Sequence, residues 1–195
     1  MELFPEFEES SSDVPPAPLA ERMRPSEWKD LLGHVKLVGE GKPLRELIAG
    51  PSSFSFILWG PPGSGKTTIA RIAARMTGSE FHEISAVNAG VADIRKVISQ
   101  AQKVWRFSKR RSILFIDEIH RFNKSQQDAV LPHVESGTLR LIGSTTENPS
   151  FEVIPALRSR CQIFRLESLT QEDIRSLLER GLADREHGFG KDSLV

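Results

Sequence analysis

Eight consecutive residues, Gly60-Pro61-Pro62-Gly63-Ser64-Gly65-Lys66-Thr67, fit the pattern G-x-x-x-x-G-K-S/T, and their chemistry is that of a phosphate cradle. The glycines let the chain curl with successive N–H groups pointing inward, where a Cβ would block an anion. A helix starting at Lys66 adds partial positive charge at its N-terminus. Lys66 brings a compact full charge to the β- and γ-phosphates of a nucleoside triphosphate. The Thr67 hydroxyl is a hard oxygen ligand for Mg²⁺. The motif also stands in the context it requires. A β-rich run, Ser53–Trp59, precedes it, and Lys66–Met76 follows with Ile69, Ile72, Ala73 and Met76 as a helical stripe.

A second chemical feature is the pair Asp117-Glu118, delivered by the apolar strand Ile113–Ile116. In an open parallel sheet, the carboxyl end of a strand is where ligands bind. Successive strand residues face opposite ways, so the two carboxylates can divide the work. Asp117 suits a metal, directly or through water, and Glu118 suits orienting and activating an attacking water. A helix, a strand and a helix fit between Lys66 and Asp117, so the two motif strands are not simple neighbours. The strand Leu139–Ser144 is the candidate to lie between them. It ends in Ser144-Thr145-Thr146, whose hydroxyls suit a phosphate or the attacking water, or simply terminate the strand. Arg158-Ser159-Arg160-Cys161 places two guanidiniums before the last strand, where they are either solvated or reach a neighbouring subunit's nucleotide.

The elements that must position these residues alternate. Strands are expected at Ser53–Trp59, Phe81–Ser85, Ser112–Ile116, Leu139–Ser144 and Ile163–Leu166. Helices are expected at Lys66–Met76, Asp93–Val104, with Ile94, Val97, Ile98 and Ala101 on one face, and Ser125–Val134, interrupted by Pro132. Thr170 caps a further helix start. Ser112–Ile116 lacks alternation, which implies burial on both faces. The pattern is that of an α/β domain in three layers with a mostly parallel sheet.

Composition bounds the rest. Of 195 residues, 38% are hydrophobic, enough for a core, yet no run of large apolar residues exceeds four, as at Phe56–Trp59. A spanning helix needs about 20, so a membrane protein is excluded. The start, MELFPEFEES, is acidic where an export signal is basic and then apolar. The single Cys161 allows no internal disulfide and reads as a small buried residue in a reducing cytosol. Five histidines show no zinc-ligand spacing. His120 and His133 read as polar neighbours of the site or as helix surface. Lys+Arg and Asp+Glu both total 26, so only local patches can argue for nucleic acid. One such patch is Lys103–Arg111, five basic residues with Trp105 and Phe107 interleaved. It reads first as a solvated helix end, but its composition also suits phosphate contacts with base stacking. Residues 1–20 read as an acidic Pro/Ser-rich disordered arm, with Leu3–Phe7 as its one apolar cluster.

Together the motifs resemble an AAA+ ATPase of the clamp-loader group. The stretches His120–Glu135 and Ile142–Glu152 are similar to the RarA/MgsA family of replication-associated recombination proteins, whose eukaryotic relatives include the Werner-helicase-interacting protein. The resemblance runs from about Pro18 to about Gly190. It implies an αβα P-loop NTPase core with a five-stranded sheet over residues 21–168, and the start of an α-helical lid over 169–195. It implies ATP and Mg²⁺ as cofactors. Gly60–Thr67, with Thr68, is then Walker A, and Ile113–Glu118 is Walker B. Thr67 and Asp117 hold the metal, Thr146 is sensor 1 with Thr145 the alternative, and Arg160 is the arginine finger acting in trans. Arg22–Pro25 through Leu32-Gly33-His34 resembles the part that packs near the adenine, and Val91–Arg95 resembles a helix facing DNA. Two departures stand out. Arg158 occupies a position that is usually apolar, and no Gly-Asp-x-Arg sensor 2 stretch precedes Val195, so the chain reads as the N-terminal portion of a longer protein. The implied function is Mg²⁺-dependent ATP hydrolysis coupled to DNA in replication-fork maintenance, recombination and repair. Expected partners are single-stranded, gapped or forked DNA, further copies of the chain, and a single-strand-binding protein or replisome contact. The expected location is cytoplasmic, at the nucleoid. Alternatives are a nucleotide-gated binding module with little turnover, a clamp-loader subunit or a branch-migration motor.

Overall fold

The structure, a computed structural model, describes residues 17–50 and 54–184. The Leu3–Phe7 cluster and most of the expected arm lie outside them. Five strands are β1 (Phe56–Trp59), β2 (Glu80–Ser85), β3 (Ser112–Asp117), β4 (Leu139–Thr145) and β5 (Gln162–Arg165). The helices are α1 (Leu19–Arg22), α2 (Val35–Val38), α3 (Pro43–Ala49), α4 (Lys66–Met76), α5 (Val91–Ser108), α6 (Lys124–Glu135), α7 (Pro149–Glu152), α8 (Pro155–Arg158) and α9 (Gln171–Ala183). Two compact units emerge: 25–175, which holds the sheet, and a smaller one made of residues up to Arg24 and from Ser176 onward. Within the smaller unit, α1 starts at Leu19, inside the segment expected as an arm.

The strand order is β2-β3-β4-β1-β5 and every pairing is parallel. As expected, β4 lies between the two motif strands. Its seven residues are all buried, because helices cover both faces of the sheet. Successive strand residues divide between two cores. Phe56, Leu58, Ile113 and Phe115 pack with Ile69, Ala70 and Ala73 of α4. Ile57, Leu114 and Ile116 pack with Ile94, Ile98 and Ala101 of α5 and Val130 of α6. That period-two division is what makes three layers from a nearly continuous apolar strand.

Several expectations shift. Met76 is exposed at the end of the α4 stripe, where its sulfur receives the Trp28 indole N–H. Pro132 does not interrupt α6. The helix continues past it, with Ser136 N donating to Pro132 O at 3.0 Å. Proline forfeits its own donor and its ring crowds the carbonyl four residues back, and here it stands in the last turn of the helix, whose later N–H groups still find partners. Cys161 is partly rather than fully buried, packed against the α5–α6 core, and burial pushes its thiol up to about 12. Thr170 caps α9 as expected. Its Oγ1 accepts from Asp173 N at 3.1 Å, while Asp173 Oδ2 accepts from Thr170 N at 3.0 Å.

Candidate nucleotide site

The loop between β1 and α4 is shaped by its glycines. A Cβ on Gly60 would lie 2.5 Å from Leu166 O, so only glycine lets β5's end pass this close. Gly65 adopts φ +85 and caps α4 in the left-handed region, which glycine enters without a steric cost. Lys66 is 8% exposed and its ammonium donates to Gly60 O at 2.8 Å and Pro61 O at 2.9 Å. Burial lowers its pKa, and Glu118 and Asp117 oppose that lowering, so both carboxylates lie within electrostatic reach of the ammonium. Thr67 is half-buried and Thr68 buried at the first turn of α4. The Ser64 hydroxyl is buried with no hydrogen-bond partner among the described residues. Leu31 and His34 lie against this loop. His34 Nε2 is 2.9 Å from Ser64 O, and the Leu31 side chain is 3.7 Å from where a Gly65 Cβ would stand.

The acidic pair ends β3. Ser144, at the same edge of β4, donates its hydroxyl to Asp117 Oδ1 at 2.5 Å and accepts from Glu118 N at 3.2 Å. Glu118 itself sits at φ +54, a left-handed conformation that costs a non-glycine residue on the order of 1–2 kcal/mol. The turn carries its carboxylate across to β4's end. There Thr146 donates to Oε2 from its N–H at 3.3 Å and from its hydroxyl at 3.4 Å. His120 closes the cluster. Its side chain is 6% exposed, with Nδ1 3.1 Å from Glu118 Oε2 and 3.1 Å from Thr145 Oγ1, and Nε2 3.4 Å from Glu147 Oε1. Thr145 is wholly buried and its hydroxyl bonds the backbone of Glu147, so of the two threonines it is Thr146 that reaches the acid pair.

The arginines stand apart. Arg160 forms an ion pair with Glu135 at 2.5 Å and donates to Ala156 O at 2.8 Å. Arg158 donates to Ser150 O at 2.5 Å. Neither bonds the phosphate-type loop nor the acidic pair among the described residues.

A loop turned by Gly63 and Gly65 in the left-handed region, an orphaned buried hydroxyl, a lysine and a metal-type carboxylate make a donor set that fits a Mg²⁺–nucleoside triphosphate. Residues 56–169 match the model of the ATPase family associated with various cellular activities (AAA). The chain belongs to the AAA family. Among curated proteins it is 49% identical over 178 residues to replication-associated recombination protein A of Haemophilus influenzae, a span covering 91% of this chain and 40% of that one. It is 52% identical over 177 residues to the Coxiella burnetii protein of the same name, again 91% and 40%. ATPase WRNIP1 of Dictyostelium discoideum is 50% identical over 166 residues, 85% of this chain and 19% of that one. The chain thus spans about two fifths of the length of these bacterial relatives. Among solved structures, the RuvB Holliday junction branch migration motor of Thermotoga maritima superposes with TM-score 0.63 at 27% identity, covering 83% of this chain and 54% of that one.

Within this AAA domain, sequence reasoning named the loop, Asp117, Glu118 and Thr146, and the fold brings them together. It did not single out Ser144 as the partner of Asp117, nor His120 as the partner of Glu118. The signal for Ser144 was available. Once β4 is placed between β1 and β3, its last residues must abut the acidic pair. For His120 the sequence offers only a polar neighbour of the site or helix surface, because the left-handed turn at Glu118 decides where the imidazole goes.

Proposed function

We propose that this chain is the ATP-binding and hydrolysing module of a DNA-acting machine, of the kind named by its replication-associated recombination relatives. One observation carries the reading: the loop after β1 and the acids ending β3 converge across β4, with Lys66 within electrostatic reach of Asp117 and Glu118. Gly60, Pro61, Pro62, Gly63, Ser64 and Gly65 wrap the phosphates with backbone N–H groups, and Thr68 supports the first turn of α4. Lys66 neutralises the terminal phosphates. Thr67 and Asp117 hold Mg²⁺, which offsets phosphate charge when bound. Ser144 fixes the Asp117 carboxylate through its hydroxyl. Glu118 orients the attacking water and accepts its proton, and Thr146 acts beside it as the polar sensor. Arg160 serves a neighbouring subunit's site in a homo-oligomer, a role that requires release from Glu135.

A specific observation also favours a slower, switch-like use of the same site. The Glu118 carboxylate already has Thr146 and His120 as partners, so it must leave them to serve a water. Nucleotide occupancy then gates DNA or protein binding, with modest turnover. The likeness to the RuvB branch migration motor supports a motor output for the longer assembly.

Steady-state hydrolysis with and without single-stranded and gapped DNA, with Lys66→Ala as the blank, tests the reading. DNA-stimulated hydrolysis that disappears in Lys66→Ala supports it. Hydrolysis that persists in Lys66→Ala overturns the site assignment. Hydrolysis indifferent to every DNA removes the DNA coupling and leaves the nucleotide site.

A further inference from the structure

The nucleotide site lies at the carboxyl edge of the sheet. At the opposite edge, where β3 and β4 begin, a groove of about 550 Å³ opens between the last turns of α5 and the turn Ser136-Gly137-Thr138. Trp105, Arg106, Lys109 and Arg111 line it on one side, and no described lining residue is acidic. The indole is the groove's aromatic surface. It is 46% exposed, and it is flanked by cations: the Arg111 guanidinium is 5.3 Å and the Lys109 ammonium 5.7 Å from its centre. Arg111 also donates to Gly137 O at 3.4 Å, which ties the two walls together.

The balance of charge here is unusual for a chain with no net charge. Arg110 is engaged by Glu80 at 3.4 Å, and Glu135 is taken by Arg160. Arg106 and Lys109 are exposed and have no carboxylate partner among the described residues. Solvated lysines and arginines are ordinary on a surface. A half-exposed tryptophan among them, with two cations beside its ring and inside a concavity, gathers an aromatic face and positive charge at one place. A ligand that engages Trp105, Arg106 and Lys109 together carries regularly spaced anions and flat apolar faces.

We propose that the groove between Trp105 and Thr138 is a binding site for single-stranded nucleic acid, with a base stacked on Trp105 and the flanking phosphates held by Arg106, Lys109 and Arg111. Stacking is tolerant of sequence since every base has a π-face, so the site reads strandedness rather than sequence. A duplex offers the same phosphates with its bases already stacked, and it fits poorly. The site rests on DNA being the partner proposed above. It sits at the far end of α5 from Val91–Arg95, so strand contact is placed on the opposite sheet edge from the nucleotide.

Anisotropy of a fluorescein-labelled oligothymidylate of about twelve nucleotides, within the span such sites cover, tests it with the full chain from about 50 to 200 mM NaCl. Trp105→Ala is expected to weaken binding by about 5- to 100-fold and Trp105→Phe to restore most of it. The double variant Arg106→Ala/Lys109→Ala is expected to reduce the salt slope by about 1.4, two single-strand phosphate contacts. Unchanged melting temperatures show that the variants fold. A duplex of equal length is expected to compete at least about tenfold less well. Binding that survives both Trp105→Ala and the double variant unchanged, or that is lost instead in Arg95→Ala, overturns the groove and leaves the DNA reading standing. No binding by the unaltered chain overturns both.

Discussion

At the carboxyl edge of the sheet, Lys66 is buried and its ammonium is held by two carbonyls 2.8 and 2.9 Å away. At the amino edge, Arg106 and Lys109 stand in solvent beside a half-exposed tryptophan. The first region is preorganised. Its glycines, the left-handed turn at Glu118 and the Ser144–Asp117 hydrogen bond fix the loop and the Asp117 carboxylate before any ligand arrives, and only the Glu118 carboxylate must change partners. The second region is a cationic surface with one stacking platform, and its groups can adapt. The difference follows from the chemistry each edge suits. Stabilising charge that develops on a transferring phosphoryl group needs fixed dipoles in a water-poor site. Holding a flexible strand needs long-range attraction and a tolerant platform.

That comparison can be broken most directly at Glu118. Glu118→Gln keeps the shape and the Thr146 contacts but removes the base. Hydrolysis is expected to fall by about 10²–10⁴-fold with ATP binding retained, measured by single-turnover rates and equilibrium binding of a fluorescent nucleotide. A rate within threefold of the unaltered chain would take the acid out of the chemistry. Next in size is Lys66→Ala. Losing a charge-assisted contact of about 1.5–3 kcal/mol lowers nucleotide affinity by about 10- to 100-fold, while oligothymidylate binding without nucleotide stays as it was. Loss of both together would mean that the two edges are not separate sites.

Smaller effects sharpen the contrast in stability. Gly60→Ala drives a methyl to 2.5 Å from Leu166 O, backbone that cannot yield cheaply. The variant is expected to lose about 1–3 kcal/mol in a denaturant titration. Trp105→Ala, in contrast, removes a partly solvated side chain and is expected to stay within about 0.5 kcal/mol of the unaltered chain. A larger loss would make Trp105 a packing residue rather than a platform. The capping pair at the start of α9 gives the smallest signal, and a pH-dependent one. Hydrogen bonds from Thr170 hold the Asp173 carboxyl below its ordinary range, with His34 adding a weaker pull. The stabilisation it gives is present above the ordinary carboxylate value and is lost as pH falls through the lowered one. Asp173→Asn is therefore expected to lower the melting temperature slightly at neutral pH and not at all in strong acid.

Much of this molecule was written in contiguous residues. Gly60–Thr67 is a local motif whose backbone shape is set by its own glycines, and Lys66–Met76 forms a helix with the bounds its stripe suggests. Ile113–Ile116 is buried on both faces because its sequence is apolar at every position, and this alone argued for a parallel sheet covered twice. Capping at Thr170 needed only residues three apart. What tertiary structure decided is every contact between segments distant in sequence. Strand order placed β4 between the motif strands, and only then do Ser144 and Asp117 meet, 27 residues apart. The left-handed turn at Glu118 sends its carboxylate to Thr146 and brings His120 beside it. His34 reaches the loop at Ser64, 30 residues on. The basic run Lys103–Arg111 was visible as composition, but its groove exists only because the turn Ser136–Thr138 forms the facing wall. Local propensity and period act along the chain. Which side chain faces which across a sheet depends on crossovers and register, and those are fixed only when the two cores close.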